Sequence, residues 1–360
     1  MRIGIPKEIK DREHRVALTP EGARQLVNLG HEVMVEVKAG LDSGFEDEDY
    51  GVAGAKMVSA AQAWDTDLVL KVKEPLESEY KFLGTQILFT YLHLSGVPPE
   101  LTDTLLSAGT TAIAYETVED NLGRLPLLAP MSGVAGTMAV TVGSNYLARV
   151  YGGKGTLLGM VMGKRNGNVL VIGDGIVGRH AARAALALGA NVRLAGLFEE
   201  RIPDLNQALG SDWQFVLSNP ENLTQETGHA DLIVGAVLVP GAKAPSVVTE
   251  SMVRAMEHGS VIVDVSIDQG GCVATSRPTS HSNPIYQEHG VIHYCVTNMP
   301  GAYPHTSTIA LTNATLPYAT ALADHGIGAL RKDAGFAKGV NIRNGAITCR
   351  AVAEAFDKLN

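Results

Sequence analysis

One stretch near the middle of the chain constrains the fold more than any other. Four apolar, mostly β-branched residues at 169–172 run directly into Gly173-x-Gly175-x-x-Gly178, and an alanine-rich segment follows at 179–189. This order predicts a buried strand, a tight turn and a helix, and a further strand at 191–194 completes a β-α-β unit. In that context the glycines predict a dinucleotide-binding loop whose phosphates lie at the positive end of the helix. The alternative is a merely tight strand–helix turn.

Composition limits the classes of protein to which the chain can belong. Its 360 residues are too many for one ordinary compact core, so two domains are expected. A net charge of −9 disfavours a nucleic-acid partner, because phosphate binding requires clustered Lys and Arg. Three widely spaced cysteines without CxxC spacing predict a reducing compartment and no metal site. The amino terminus lacks a signal-peptide pattern and no long apolar run occurs, so we expect a cytoplasmic protein without a membrane segment.

Short apolar runs alternate with helical patterns along most of the chain, which predicts parallel sheets. Strands are predicted at 2–5, 31–37, 68–72, 86–90, 111–114, 214–217, 232–235, 261–265 and 292–296, and helices at 20–29, 60–64, 100–108, 131–150, 311–322 and 351–358. The fold class is therefore α/β with two doubly wound domains and a cleft between them that holds the active site. Residues 1–126 and 304–360 are predicted to form a substrate or catalytic domain, and residues 127–303 a Rossmann dinucleotide-binding domain.

Four polar side chains follow predicted strands, at the edge of the sheet where ligands bind in open α/β folds. Arg15 offers a planar fork for a carboxylate, and Lys73 a point charge for a developing oxyanion. His93 could transfer protons near neutral pH. Asp268 lies just past a buried strand. Taken singly, each residue has a plain structural interpretation: a solvated surface charge, a hydrogen-bonded core histidine or an acidic turn residue.

Motifs along almost the whole chain resemble the alanine dehydrogenase family, within the alanine dehydrogenase and transhydrogenase group. They occur in the same order as in that family, at residues 3–10 (IGIPKEIK), 15–20 (RVALTP), 71–75 (KVKEP), 88–94 (LFTYLHL), 114–118 (AYETV), 127–132 (LLAPMS), 235–245 (GAVLVPGAKAP), 267–272 (IDQGGC), 298–302 (NMPGA) and 306–308 (TST). The resemblance implies reversible oxidative deamination of L-alanine to pyruvate and ammonium, with hydride transfer to NAD. It also implies a homo-oligomer, commonly a hexamer.

The resemblance assigns roles to individual positions. It implies that Arg15, Lys73 and Asn298 bind the substrate, and that His93, Asp268 and Lys73 are catalytic. His93 would act as general acid and base on the carbinolamine oxygen, and Asp268 would position the amine or the attacking water. The implied cofactor-binding residues are Ser132, Gly173, Gly175, Ile176, Val177, Gly178, Gly196, Arg201, Ser218, Leu238, Val239, Ile267, Asp268, Asn298 and Met299.

Departures from the family pattern cluster in the cofactor domain. Gly196 stands where an acidic residue usually binds the adenosine ribose, so Arg193 and Arg201 could attract NADP, although a shifted loop could also still accept NAD. Gly133 and Thr137 replace a Glu and a basic residue whose spacing allows pairing on a helix.

Two further departures flank the first cofactor strand. Residues 159–163 replace a more Gly- and Pro-rich linker before that strand. Asp174 occupies a usually small position of the glycine motif, where its charge would disfavour pyrophosphate unless the side chain points to solvent.

Other functions remain open at this stage. The chain could be a related amino-acid dehydrogenase that uses NADP or has relaxed cofactor use. It could also be a weakly active paralogue that binds cofactor, although the intact set of Arg15, Lys73, His93 and Asp268 argues against this. A transhydrogenase subunit is disfavoured because the sequence contains no membrane segment.

Overall fold

The computed structural model of the chain describes residues 1–239 and 243–355. The chain divides into two compact units, one with residues 1–131 and the segment from 301 onward, the other with residues 132–300. The boundaries expected from the sequence, after residues 126 and 303, lie a few residues from these. Three residues of the 235–245 motif, at 240–242, lie outside the described residues, as do the last three of the helix predicted at 351–358.

The first unit is built on a doubly wound sheet. Its first six strands are β1 (Arg2–Ile5), β2 (Glu32–Glu36), β3 (Lys56–Val58), β4 (Leu68–Leu70), β5 (Ile87–Thr90) and β6 (Thr111–Ala114). The α-helices between them are α1 (Pro20–Asn28), α2 (Asp47–Val52), α3 (Ala60–Trp64) and α4 (Pro99–Ala108). These strands are parallel, in the order β3-β2-β1-β4-β5-β6. The order reverses direction between β1 and β4, and ligands of such sheets bind at that switch point.

The second unit contains a second doubly wound sheet. Its helices are α5 (Ala129–Tyr146, which begins just before the unit), α6 (Ile176–Leu188), α7 (Ile202–Leu209), α8 (Pro220–His229) and α9 (Glu250–Ala255). Its strands are β7 (Gly159–Val161), β8 (Lys164–Asn166), β9 (Asn168–Ile172), β10 (Asn191–Gly196), β11 (Trp213–Leu217), β12 (Leu232–Gly235), β13 (Val261–Asp264), β14 (Ile285–Glu288) and β15 (Val291–Tyr294). The parallel order β11-β10-β9-β12-β13-β15 is the strand order of dinucleotide-binding Rossmann domains, with β14 antiparallel at the edge. The predicted α/β class with two doubly wound units is confirmed.

The chain then returns to the first unit and widens its sheet. This segment comprises α10 (Pro304–His325), α11 (Ala334–Ala337), β16 (Val340–Arg343), β17 (Ala346–Ile347) and α12 (Arg350–Ala355). β16 pairs antiparallel with β6, and β17 antiparallel with β16. No helix in the described part of the chain is both long and apolar enough to cross a bilayer.

Small residues let α5 pack closely inside the second unit. A Cβ atom at Gly136 would overlap the carbonyl oxygen of Val177 in α6, and one at Gly143 would overlap the side chain of Leu232 in β12. These glycines therefore serve the core of the Rossmann unit, where side chains pack at crystal-like density.

The segment at 159–163, which we expected to be a linker, contributes instead to a β-hairpin. β7 and β8 pair antiparallel, and only Met162 and Gly163 lie between the paired residues Val161 and Lys164. Both turn residues have positive φ, +49° at Met162 and +78° at Gly163. That geometry is typical of the type I′ turn of two-residue hairpins. This turn was not predicted from the sequence because a methionine, Met162, occupies a position that usually holds Asn or Asp.

Candidate active site

Three of the polar residues singled out in the sequence lie beyond adjacent strands of the first sheet. Arg15 is in the connection after β1, Lys73 follows β4 and His93 follows β5. β1, β4 and β5 are neighbours and parallel, so their carboxyl ends meet at one edge that includes the β1/β4 switch point.

Lys73 and His93 contact one aromatic ring, that of Tyr91. The ammonium nitrogen of Lys73 lies 5.8 Å from the ring centroid, and the imidazole of His93 stacks on the ring at 5.7 Å with an interplanar angle of 2°. The buried Tyr91 hydroxyl donates a hydrogen bond of 2.6 Å to the carbonyl of Leu127. Burial raises the pKa of Tyr91, and the charge of Arg15 opposes that rise. The structure thus brings Arg15, Lys73 and His93 together around a neutral phenol.

Arg15 is held by a buried carboxylate. Only 2% of Arg15 is exposed, and its Nε and Nη2 atoms donate to the two carboxylate oxygens of Glu13 at 2.7 and 2.5 Å. Nη1 lies 3.0 Å from the sulfur of Met131. Glu13 therefore takes one edge of the guanidinium fork, a partner that the sequence analysis missed.

The two lysines of the KVKEP motif have different roles. Lys71 is fully buried and donates to Glu8 at 3.1 Å and to Glu79 at 2.9 Å. Burial alone would lower the pKa of Lys71, but the two carboxylates more than offset this effect and the pKa is raised. Glu8 also accepts from the backbone N–H of Val72 at 2.7 Å. This buried cluster ties the end of β1 to the end of β4 and thereby positions Lys73.

His93 has an unusual backbone conformation. Its φ is +47°, a left-handed value that is uncommon outside glycine. Glu116 supports it, because one carboxylate oxygen accepts the His93 backbone N–H at 2.6 Å and lies 3.8 Å from Nδ1. The imidazole is 43% exposed, so substrate and solvent protons can reach it. An exposed imidazole next to a carboxylate suits a proton-transfer group.

The glycine loop of the second unit is shaped for a diphosphate. Gly173 has φ +111°, and a Cβ there would overlap the carbonyl oxygen of Ala236. A Cβ at Gly178 would overlap the carbonyl oxygen of Gly173, so these positions permit the tight turn and the close helix. At Gly175, the N-cap of α6, a Cβ would meet no atom of residues 1–239 or 243–355 within 4 Å. Backbone N–H groups at the start of this 13-residue helix are therefore not covered at Gly175 by any part of the chain that the structure describes.

Most of the other implied cofactor residues lie at the same edge of the second sheet. Gly196 ends β10, and the remainder follow the ends of other parallel strands: Ser218 after β11, Leu238 and Val239 after β12, Ile267 and Asp268 after β13, and Asn298 and Met299 after β15. Ile176 and Val177 open α6, and Ser132 lies in α5. Ile267 and Met299 are buried, whereas Leu238 and Val239 are at least partly exposed.

Asp268 sits on a short 3-10 helix that a buried carboxylate holds in place. Asp264, at the end of β13, accepts from the backbone N–H groups of Ser266 (3.0 Å) and Cys272 (2.9 Å) and from the Ser276 hydroxyl (2.7 Å). Burial raises the pKa of Asp264 despite these bonds. Asp268 itself is exposed. Asp264 was not singled out in the sequence analysis, although it ends an apolar strand that precedes a Gly-Gly pair.

Asn298 shares the left-handed conformation of His93, with φ +61°. It is half-buried, and its carbonyl oxygen lies 3.2 Å from Nε2 of His281. Asn298 and Asp268 belong to the second unit, whereas Arg15, Lys73 and His93 belong to the first.

The departures in α5 meet a histidine of α6. A Cβ at Gly133 would lie 3.2 Å from the imidazole of His180, so this ring fills the space that a longer side chain at 133 would need. Thr137 donates its hydroxyl to the carbonyl of Gly133 at 3.1 Å, as a threonine often does within a helix.

Comparison with known proteins gives matches along nearly the whole chain. The family description "Alanine dehydrogenase/PNT, N-terminal domain" matches residues 4–135, and "Alanine dehydrogenase/PNT, C-terminal domain" matches residues 139–350. This chain belongs to the alanine dehydrogenase/PNT family. The resemblance inferred from the motifs is therefore confirmed.

Members of the alanine dehydrogenase/PNT family match along nearly their full length. The alanine dehydrogenase of Bacillus subtilis is 52% identical over 358 residues, which cover 98% of this chain and 94% of that protein. The alanine dehydrogenase of Staphylococcus epidermidis is 51% identical over 361 residues, 99% of this chain and 97% of that protein. A solved L-alanine dehydrogenase superposes with a TM-score of 0.96 at 49% identity, covering both chains completely. A transhydrogenase from Sinorhizobium meliloti, at 23% identity and TM-score 0.82, shares the fold over 98% of this chain and all of that one.

Proposed function

We propose that this chain is an L-alanine dehydrogenase that uses NAD. It would convert L-alanine, NAD and water reversibly to pyruvate, ammonium, NADH and a proton. The observation that carries the proposal is the grouping of Arg15, Lys73 and His93 around the Tyr91 ring, beside the switch point of a doubly wound sheet. The similarity to curated alanine dehydrogenases along almost the whole chain supports the choice of substrate.

The substrate carboxylate is assigned to the two cations of the first unit. Glu13 occupies the Nε–Nη2 edge of Arg15 and fixes the plane of the guanidinium. The substrate carboxylate would accept charge-assisted hydrogen bonds from the guanidinium of Arg15, and such bonds are strong. Lys73 would donate to a carboxylate or carbonyl oxygen of the substrate and stabilise the negative charge that develops there.

Proton transfer is assigned to His93. As general base it would take the proton from the hydroxyl of the carbinolamine, and in the reverse direction it would return that proton. Glu116, 3.8 Å from Nδ1, would stabilise the imidazolium while His93 holds the proton. Asp268 would position the amine or the attacking water.

The residues of the second unit fit a nicotinamide dinucleotide. The glycine loop at Gly175 and the N-terminus of α6 would hold the pyrophosphate. The remaining contacts would come from the strand ends described above and from Ser132. When bound, NAD accepts or donates the hydride at its nicotinamide ring, so the protein's task is to position substrate and cofactor.

An activity assay tests this proposal directly. The near-ultraviolet absorbance of NADH is followed with L-alanine and NAD, and in reverse with pyruvate, ammonium and NADH. Other small amino acids and NADP are run in parallel. We expect turnover with L-alanine to exceed turnover with any other amino acid. Faster turnover of another amino acid would favour the related dehydrogenase, and NADH binding without turnover of any amino acid would favour the weakly active paralogue.

We further propose that the protein is a cytoplasmic homohexamer. Exposed apolar side chains at Val150, Leu157, Met160 and Val161, in and before strand β7, support burial against other copies of the chain. Cys272, Cys295 and Cys349 are free thiols, a state that a reducing compartment maintains. Light scattering coupled to size exclusion measures the assembly mass, and a mass other than six chains would contradict the hexamer.

A further inference from the structure

The end of β10 is occupied by a carboxylate that comes from another part of the chain. Gly196 lacks a side chain, yet a Cβ built there would lie 3.2 Å from both Cγ and Oδ2 of Asp174. On the other side it would lie 3.0 Å from the ring of Phe215. The Asp174 carboxylate therefore fills the space into which an acidic side chain at 196 would extend. The two departures from the family pattern, at 174 and 196, are neighbours in space.

Asp174 has one satisfied and one unsatisfied oxygen. The residue is 8% exposed and does not point to solvent, contrary to the arrangement that the sequence analysis required for pyrophosphate to be tolerated. Its Oδ1 accepts from Nη1 of Arg201 at 2.8 Å. Its Oδ2 is buried and has no hydrogen-bond partner among the described residues. Buried carboxylate oxygens are almost always hydrogen-bonded, so Oδ2 is placed to accept from a group that the protein does not supply.

The charges around this site are predominantly negative. Glu199 and Glu200 are exposed on the same turn as Arg201. Arg179 donates to the backbone carbonyl of Asp174 at 3.1 Å, so three carboxylates accompany two guanidinium groups. Arg193, the other cation that we considered for NADP, pairs with Glu226 at 2.9 Å. A 2′-phosphate at this edge would meet a net negative field, and Arg201 is already paired with Asp174.

We propose that Asp174 replaces the missing acid at 196, accepting a hydrogen bond from the adenosine ribose and repelling a 2′-phosphate, so that the chain selects NAD over NADP. Compared with the family pattern, the carboxylate comes from the glycine loop instead of the end of β10, and it fills the space beside Gly196. This inference rests on the proposed NAD-dependent activity and adds to it the residue that decides cofactor choice. It reverses the expectation of relaxed cofactor use that Gly196 alone suggested.

Binding titrations test the proposal without any turnover. The affinities of NADH and NADPH are measured by calorimetry or by cofactor fluorescence for the purified wild type, for Asp174→Asn and for Asp212→Asn. Asp212 is a matched control because it also pairs with an arginine, Arg165 at 2.7 Å, but precedes the start of β11 rather than following a strand end. We expect the wild type and the control to bind NADH at least about tenfold more tightly than NADPH. In Asp174→Asn, the ratio of the NADPH dissociation constant to the NADH dissociation constant should fall about tenfold.

Moving the carboxylate from position 174 to position 196 provides a second test. Gly196→Asp alone places a second carboxylate against Asp174, so it should weaken NADH binding. The double change Asp174→Ala with Gly196→Asp should restore the preference for NADH.

Each contrary outcome points to a different error. A wild type that binds neither cofactor contradicts the proposed function itself. A wild type that binds both equally overturns only the role of Asp174. Equal weakening of NADH and NADPH by Asp174→Asn also overturns it, because a merely structural residue would change both affinities together.

Discussion

At the scale of single residues, His93 combines a strained backbone with an exposed imidazole. A variant must therefore tolerate a φ of +47°, and asparagine does so better than alanine. We expect His93→Asn to lower kcat for alanine oxidation by about 100-fold or more, because the proton acceptor for the carbinolamine is lost. NADH affinity should not change. Steady-state kinetics and an NADH titration measure the two quantities.

The matched control for His93 is His289→Asn. His289 is also a histidine with positive φ, at +53°, but it lies in the second unit and interacts with Glu250. This variant should keep kcat near the wild-type value. Near-normal turnover in His93→Asn would remove His93 from the mechanism.

Because Arg15 is paired with Glu13, we expect a conservative substitution of Arg15 to change both substrate binding and stability. Arg15→Lys keeps the charge but loses the planar fork that bonds both oxygens of Glu13. The Michaelis constant for alanine should rise, and the free energy of unfolding should fall by about 1–3 kcal/mol because buried carboxylate oxygens lose donors. Kinetics and urea unfolding provide the measurements.

An exposed arginine supplies the comparison for Arg15. Arg124 pairs with Asp120 at 2.6 Å, but its side chain is largely in solvent. Arg124→Lys should change both quantities little, since exposed ion pairs contribute at most about 1 kcal/mol. A Michaelis constant for Arg15→Lys equal to that of the wild type would move the carboxylate site elsewhere.

At the scale of elements, the β7–β8 turn carries a residue poorly matched to its conformation. Met162 is 96% exposed with φ +49°, so it contributes no packing that compensates for its strain. Asn before Gly is strongly preferred in type I′ turns, so Met162→Asn should raise the free energy of unfolding by about 0.5–1 kcal/mol. Met160→Asn is the control: Met160 is also exposed but lies within β7, where Asn is disfavoured. A Met162→Asn protein no more stable than wild type would contradict the turn assignment.

Buried parallel strands were the elements most readily predicted from the sequence. β9, β12 and β13 are short apolar runs bounded by polar or Gly residues, and each lies within about a residue of its predicted limits. The short edge strands β3 and β17 and the antiparallel β14 and β16 were missed. Their pairing depends on distant partners, and their half-exposed sequences carry little periodicity.

The residues of the candidate site also differ in whether the sequence could predict their positions. The positions of Arg15, Lys73 and His93 at one edge follow from strand order, because parallel strands end on the same side of a sheet. Glu13 beside Arg15 and Asp174 beside Gly196 could not be found in this way, since they depend on side-chain directions within loops. Tyr91 was within reach: it precedes His93 by two residues, the spacing that places side chains on one face of an extended segment.

At the scale of the whole molecule, the two units repeat one architectural solution. Among the described residues, each unit has six parallel strands in the order 3-2-1-4-5-6, with the switch point between β1 and β4 in the first unit and between β9 and β12 in the second. The cations assigned to the substrate belong to one unit and the glycine loop to the other. Variation in the Rossmann unit, as at 133, 174 and 196, can therefore change cofactor contacts without altering the residues around Tyr91.

Protonation of a buried histidine links pH to the stability of the second unit. His293 in β15 is fully buried, with Nε2 2.8 Å from the Thr275 hydroxyl and Nδ1 3.0 Å from the carbonyl of Val291. Burial lowers the pKa of His293, so the folded protein binds this proton less readily than the unfolded chain does. As pH falls through the unfolded value of about 6.5, the unfolded chain is protonated first and the free energy of unfolding decreases.

This dependence can be measured in one unit at a time, because the chain has only two tryptophans. Trp64 lies in the first unit and Trp213 in the second, so in a Trp64→Phe background the fluorescence of Trp213 reports the second unit. Urea unfolding at about pH 7.5 and about pH 5.5 should show a loss of stability at the lower pH, and His293→Gln should reduce that loss. His325→Gln, at the exposed end of α10, is the control and should not change the loss of stability at the lower pH. If His293→Gln loses as much stability on acidification as its parent, proton uptake at His293 does not govern the acid sensitivity of this unit.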